Sequence, residues 1–313
     1  MRLGAHLPLI DFESRGYDLR LLTSYTDAAR DLGFDALASN DHITFQRPWL
    51  DGIVALSSVV ERSGDMLLAT TVSLPAVRGP AVLAKAAAAI DILSGGRLVL
   101  GVGPGSSVND YQAVGLPFEE RWARLDESVQ VLRRHLRGSS APFDGRFYKT
   151  TAELEPRPLQ GGGIPIWIGS WGSEAGLRRV ARLGDGWLAS AYNTSPDQLQ
   201  AGRKKLDIML EQAGKPPTGF PTSLATMWTY VTSDPATGDR YLAALAKMLN
   251  RTVPSVAPQV LVGPPEECAA KLSSYARAGV DTLFVWPLSD ETTQLELLVR
   301  EVGPLLAEMV AGC

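Results

Sequence analysis

The sequence predicts an α/β fold: a (β/α)₈ barrel with insertions after its fourth and seventh strands, built by residues 1–313 as a single domain. Three observations predict it. Strand-like and helix-like runs alternate along nearly the whole chain and make up eight strand–helix units. A junction also recurs. Ala29-Arg30-Asp31-Leu32-Gly33 leads into Phe34-Asp35-Ala36-Leu37, Ala181-Arg182-Leu183-Gly184 into Asp185-Gly186-Trp187-Leu188, and Ala276-Arg277-Ala278-Gly279 into Val280-Asp281-Thr282-Leu283. Each reads as a helix with arginine in its last turn, a glycine able to take the left-handed C′ conformation, then a buried strand. Finally, 313 residues that are 45% hydrophobic and 20% charged suffice for one large core. An open doubly wound sheet is the competing arrangement, and eight units favour closure.

The elements follow in order. Residues 2–7 form the first strand, and Leu19, Leu22, Tyr25, Ala29 and Leu32 then recur at helical spacing. After the strand opened by Phe34, residues 53–62 look helical and 66–72 form the third strand. Val82, Leu83, Ala86, Ile90 and Leu93 mark an alanine-rich helix closed by Ser94-Gly95-Gly96. The fourth strand is 97–102, residues 103–117 read as loop, and 119–136 as a long amphipathic helix. Between 138 and 165, Pro142, Pro156, Pro158 and Gly161-Gly162-Gly163 argue against helix and predict an insertion with one hairpin. Strands at 164–169, 186–189 and 223–231 alternate with helices at 173–182 and 197–212. A second irregular region, 252–265, precedes a helix at 266–278 and the eighth strand at 281–286. Leu295, Leu298, Val302, Leu305 and Met309 close the chain as a helix.

A net charge of −4 gives no bulk basic surface for nucleic acid or an anionic membrane. No apolar run is long enough to span a bilayer, and Met1-Arg2-Leu3-Gly4 opens into a strand rather than a signal peptide. Cys268 in a helix and Cys313 at the end make neither a disulfide framework nor a metal cluster. The expectation is a cytoplasmic enzyme without a metal.

Four segments fall at predicted carboxyl ends of strands: Asn40-Asp41-His42, Thr70-Thr71-Val72-Ser73-Leu74-Pro75, Gly101-Val102-Gly103-Pro104-Gly105-Ser106-Ser107 and Gly169-Ser170-Trp171-Gly172-Ser173. A barrel brings them to one mouth. His42, one of three histidines, is a candidate general base because imidazole titrates near neutrality; its bland alternative is a strand-end hydrogen bond. Asp41 either orients His42 or caps a short turn. His6 ends the first strand and shares both readings, whereas His135 reads as a packing or surface residue. The glycines from 101 to 105 lack the spacing of a dinucleotide or P-loop motif, but they let backbone approach a flat ring. The Gly169–Ser173 turn opens a helix, so it can receive a phosphate, or Ser173 can be only the helix cap. Phe45, Trp49, Trp171 and Trp286 suit an apolar substrate pocket, or core.

Together these segments resemble the luciferase-like monooxygenase superfamily, within it the flavin- and deazaflavin-dependent oxidoreductases. The likeness covers nearly the whole chain. It is carried by Gly33-Phe34-Asp35, Ser39-Asn40-Asp41-His42, Leu68-Ala69-Thr70-Thr71-Val72 and Ile92-Leu93-Ser94-Gly95-Gly96-Arg97-Leu98 with Gly101-Val102-Gly103. Phe118-Glu119-Glu120-Arg121-Trp122, Pro165-Ile166-Trp167-Ile168-Gly169 and Gly184-Asp185-Gly186-Trp187 complete it. The resemblance implies a (β/α)₈ barrel and a cofactor that is FMN or the deazaflavin coenzyme F420. It puts Asp41 and His42 beside the reactive edge of the ring, with His42 as base or substrate-orienting group. A cis peptide at Thr71–Val72 would lie behind the ring, Gly103, Pro104, Gly105 and Ser106 would line it, and Gly169, Ser170, Trp171, Gly172 and Ser173 would receive the phosphate. His6, Phe45, Trp49 and Trp286 would face substrate. One departure matters: sugar-phosphate dehydrogenases of this superfamily carry a proton-donating glutamate where Ser106 stands, and serine cannot replace it. The implied partners are a small, largely apolar substrate, a separate reductase supplying reduced cofactor, and a second copy of the chain. Two other functions compete: a flavin-binding barrel without turnover, and a flavin-independent barrel enzyme acting on a phosphorylated metabolite.

Overall fold

Eight short buried strands close a parallel barrel in sequence order in the computed structural model, which describes residues 1–311; Cys313 lies outside the described residues. They are β1 (Arg2–His6), β2 (Ala36–Ser39), β3 (Leu67–Thr70), β4 (Leu98–Val102), β5 (Ile166–Gly169), β6 (Gly186–Ser190), β7 (Thr222–Val231) and β8 (Thr282–Pro287). Each pairs with its predecessor, and β8 returns to β1 with Arg2 opposite Thr282. The closed sheet excludes the open alternative.

The barrel interior is a packed plug. Ala36, Ala38, Ala69, Val99, Trp167, Leu188, Ala225 and Phe284 form one buried cluster contributed by seven strands. Two rings fill the space that two glycines leave. A Cβ on Gly4 would lie 2.4 Å from the Phe284 ring, and one on Gly186 equally close to Trp167. A ligand therefore has room only beyond the strand ends. A second, larger core joins the outer strand faces to the helices through residues such as Leu37, Leu68, Leu100, Ile168 and Leu283.

The recurrent junction holds at two of its three places. Gly33 and Gly279 take φ of +81° and +90° just past helices Leu19–Asp31 and Pro265–Arg277. Gly184 is extended instead, at φ −92°. It is glycine for lack of room: a Cβ there would meet the Val180 carbonyl at 2.9 Å and Ile168 at 3.0 Å.

Residues 103–117 contain a helix, Val108–Ala113, where loop was expected. Six residues between glycine-bearing turns are too short to display a period. A further helix, Pro235–Met248, capped by Asp234, lies where the sequence predicts no element, and Tyr241, Leu245 and Met248 bury one of its faces. The first insertion does carry a hairpin, Phe143–Asp144 with Lys149–Thr150. The second contains a strand, Leu261–Gly263, that adds to the outer end of β7. Among the described residues no helix is long and apolar enough to cross a membrane.

Candidate active site

Beyond the carboxyl ends of the strands lie two adjoining chambers, each of about 390 Å³. Of the residues expected at a cofactor, Thr71, Val72, Gly103, Pro104, Gly105, Ser106, Gly169, Ser170, Trp171 and Ser173 line the first. Gly172 does not line it; its N–H donates to Ser170 Oγ at 3.2 Å and its φ of +86° turns the chain. Phe45, Trp49 and Trp286 line the second chamber. Asn40, His42, Ser106, Trp171, Tyr192 and Thr226 border both.

The floor of the first chamber is set by Val72, whose peptide bond with Thr71 is cis, as the family likeness implies. Its methyls lie between two glycines. A Cβ on Gly103 would stand 2.8 Å from Val72 Cγ2, and one on Gly169 3.1 Å from Cγ1. Glycine at both places leaves a flat surface. At one end, Ser173 caps helix Glu174–Leu183 by accepting from the Gly176 N–H at 3.2 Å. Gly176 lets two hydroxyls converge there, since its Cβ would lie 2.3 Å from Ser170 Oγ and 3.1 Å from Ser173 Oγ. First-turn N–H groups have no intrahelical acceptor, so the cup offers amide and hydroxyl donors at the positive end of a helix.

His42 stands where the chambers meet, and its carboxylate partner is not the expected one. Asp41, which lines the first chamber, is occupied by Arg78 at 2.5 and 2.6 Å and accepts from the Leu74 N–H at 3.2 Å. It does not orient His42. Asp110, fully buried on the unpredicted helix, lies 2.7 Å from His42 Nδ1. Phe45 and Trp49 pack on the imidazole with ring centroids 4.8 and 4.6 Å away.

His6 lines neither chamber. It is fully buried beneath Trp286, stacked at 3.5 Å, and donates from Nδ1 to the Leu7 carbonyl at 2.8 Å. Burial holds its pKa down to about 3 despite that hydrogen bond, so it is a neutral packing residue. His135 is also buried, on helix Arg121–Leu136.

Sequence reasoning missed several wall residues. Thr226 interrupts β7 with φ +58° at a register shift against β8, and its hydroxyl pairs with Ser190 Oγ at 2.7 Å. Such a bulge re-aims a side chain at a barrel rim, and nothing in the run Leu224-Ala225-Thr226-Met227 announces it. Trp228 lines the second chamber, stacked on Trp286 at 4.1 Å. Its indole N–H and that of Trp49 are buried with no acceptor among the described residues. For Asp110 there was a signal: it is the first acidic residue after the fourth strand's glycines.

A closed barrel with two chambers at its carboxyl mouth, joined at a histidine, has the architecture of a barrel enzyme. The model of the luciferase-like monooxygenase family matches residues 11–254, and the chain belongs to that family. A relative spanning nearly the full length is the F420-dependent glucose-6-phosphate dehydrogenase of Segniliparus rotundus, 29% identical, with 94% of this chain and 96% of that protein aligned. An F420-dependent secondary alcohol dehydrogenase, solved with an F420–acetone adduct, superposes with TM-score 0.83 at 17% identity over 97% of this chain and 98% of that one. The oxygenating constituent of 3,6-diketocamphane monooxygenase from Pseudomonas putida, solved with FMN, superposes with TM-score 0.76 at 16% identity over 97% and 98% of the two chains.

Proposed function

We propose that this luciferase-like oxidoreductase uses coenzyme F420 in the first chamber and exchanges hydride with a small, largely apolar, unphosphorylated substrate in the second. His42 handles the accompanying proton. One observation carries the reading: the same imidazole borders both chambers, and no hydrogen bond from a described residue engages its Nε2.

The first chamber fits a phosphorylated flavin-type cofactor. The Gly103–Val72–Gly169 surface accepts a flat ring, and the Ser170, Ser173 and Gly176 cup offers donors for a phosphate. When bound, a deazaflavin would supply a hydride in its reduced form and take one up in its oxidised form, and carbon in place of N5 would suppress reaction with oxygen. The choice of F420 over FMN rests on the nearly full-length relative, which is F420-dependent.

The protein's part is placement and proton handling. Asn40, Ser106 and Thr226 border both chambers and orient groups that meet there. Phe45, Trp49, Trp228 and Trp286 shape the substrate space and exclude water. His42 Nε2 takes a proton from a hydroxyl being oxidised or returns one to a carbonyl being reduced.

Two features turn the substrate away from a sugar phosphate. Ser106 cannot serve as a carboxylic proton donor. Among the described residues lining the second chamber the only Lys or Arg is Arg251, whose guanidinium already donates to the Tyr192 carbonyl at 2.6 Å and to Asn193 Oδ1 at 2.5 Å.

Fluorescence titration of the purified protein with F420 and with FMN, each oxidised and reduced, tests the reading. A tenfold preference for F420, only ~1.4 kcal/mol, supports it. A preference for FMN would shift the chemistry to oxygen activation, and binding of neither would sink it.

A further inference from the structure

We infer that Asp110 is the positioning residue that fixes the tautomer of His42, keeping the imidazole proton on Nδ1 and leaving Nε2 bare toward the two chambers. The inference rests on the reading of His42 as the proton-handling group. It adds which residue prepares that group and in which state.

The two carboxylate oxygens of Asp110 serve different donors. Oδ1 accepts from two backbone donors, the Ile43 N–H at 2.9 Å and the Thr44 N–H at 2.8 Å. Those donors belong to the residues just after His42, so the acid fixes the backbone as well as the ring. Oδ2 is left for Nδ1, 2.7 Å away. An ionised carboxylate can only accept, so the proton between them belongs to Nδ1. A neutral imidazole carries one ring proton, and Nε2 is then a lone pair.

Among the described residues no other side chain hydrogen-bonds the ring. Phe45 and Trp49 pack on it without charge, and Asp41 is taken by Arg78. Asp110 is itself immobilised. It is fully buried, and its neighbour Tyr111 donates its hydroxyl to the Pro104 carbonyl at 2.6 Å while packing edge-on against Phe118 at 5.5 Å. The helix Val108–Ala113 is thereby pinned to the glycine loop that lines the first chamber. One short segment sets both the wall of the cofactor chamber and the orientation of the imidazole.

Asp110→Asn gives a sharp test because its shape hardly changes. Only its oxygen can accept from Ile43 and Thr44, so the new amide N–H₂ must face Nδ1. Nδ1 then has to accept, and the proton moves to Nε2. The measurement is ¹⁵N NMR of the full chain labelled at histidine, without cofactor, at alkaline pH, with His42 assigned by its disappearance in His42→Gln. The wild type is expected to show the Nδ1–H form of His42 and Asp110→Asn the Nε2–H form. Cofactor affinity should stay within about threefold, and turnover should fall at least ~10-fold. An Nε2–H tautomer in the wild type would overturn the inference, as would an unchanged tautomer in a folded Asp110→Asn. If that variant does not fold, the wild-type tautomer decides alone. A tautomer that inverts while turnover stays unchanged upholds the positioning role and removes His42 from the reaction, which is the failure of the proposed function instead.

Discussion

Arg78 grips Asp41 with two prongs, Nε on Oδ2 at 2.5 Å and Nη2 on Oδ1 at 2.6 Å, and the same Nη2 reaches Asp51 at 2.6 Å. Asp51 caps helix Gly52–Ser58 by accepting from the Val54 N–H. Both ends of the segment 41–51, which carries His42, Phe45 and Trp49, are therefore tied to one guanidinium. Burial opposes the charge of Arg78, but the hydrogen bonds and charges of the two carboxylates outweigh it and raise its pKa. Arg78→Ala leaves the Asp41 carboxylate buried and unpaired, and should cost about 3 kcal/mol of stability in urea unfolding. A variant as stable as the wild type would show that the clamp is dispensable.

His42→Ala removes the imidazole without filling either chamber. Cofactor affinity should change little, while turnover of a good substrate should fall by roughly 10²- to 10⁴-fold. An unchanged rate removes His42 from the mechanism.

Gly176→Ala drives a methyl between the hydroxyls of Ser170 and Ser173. If they cradle phosphate, affinity for FMN should drop about tenfold, ~1.4 kcal/mol, while that for riboflavin, which lacks the phosphate, stays level. Equal losses for both would show that the cup does not read the phosphate.

Trp228→Phe keeps a ring stacked on Trp286 and deletes a buried N–H that has no acceptor among the described residues. If a substrate oxygen supplies that acceptor, KM should rise by about fivefold with kcat nearly unchanged, since a hydrogen bond of this kind contributes about 1 kcal/mol. Unaltered steady-state kinetics would mean that water satisfies the indole.

His6 predicts a pH dependence of stability. Its folded pKa of about 3 lies below the ordinary 6.5 because burial penalises the charge. Between those values the unfolded chain binds a proton that the folded one does not, so stability falls as pH drops through this window and is fully retained above it. The slope should approach ~1.4 kcal/mol per pH unit well inside it. His135, whose pKa burial and the Arg134 charge lower, acts in the same direction. His6→Phe preserves the stack on Trp286 and should flatten the curve between neutrality and mild acid. Urea midpoints with the wild-type pH dependence would refute this.

The sequence by itself determined the barrel, its two insertions, the family and most of the first chamber's wall. It did so because strand ends announce themselves locally: an apolar run stops, and glycine, serine or proline follows. Thr71, Val72 and residues 103–106 were legible in that way. Tertiary structure alone decided which groups meet. Asp41 is next to His42 in sequence, yet successive residues at a strand end diverge, and the Asp41 carboxylate turns to Arg78 while Asp110, 68 residues on, reaches the imidazole. His6 passed for a pocket residue because its position on β1 is right; only the packing of Trp286 above it shows that it is sealed off. The Thr226 bulge and the unpartnered Trp228 N–H depend on register and burial between strands distant in the chain. A residue's place along a strand is a local property, whereas its hydrogen-bond partner is set by what closure of the barrel brings opposite it.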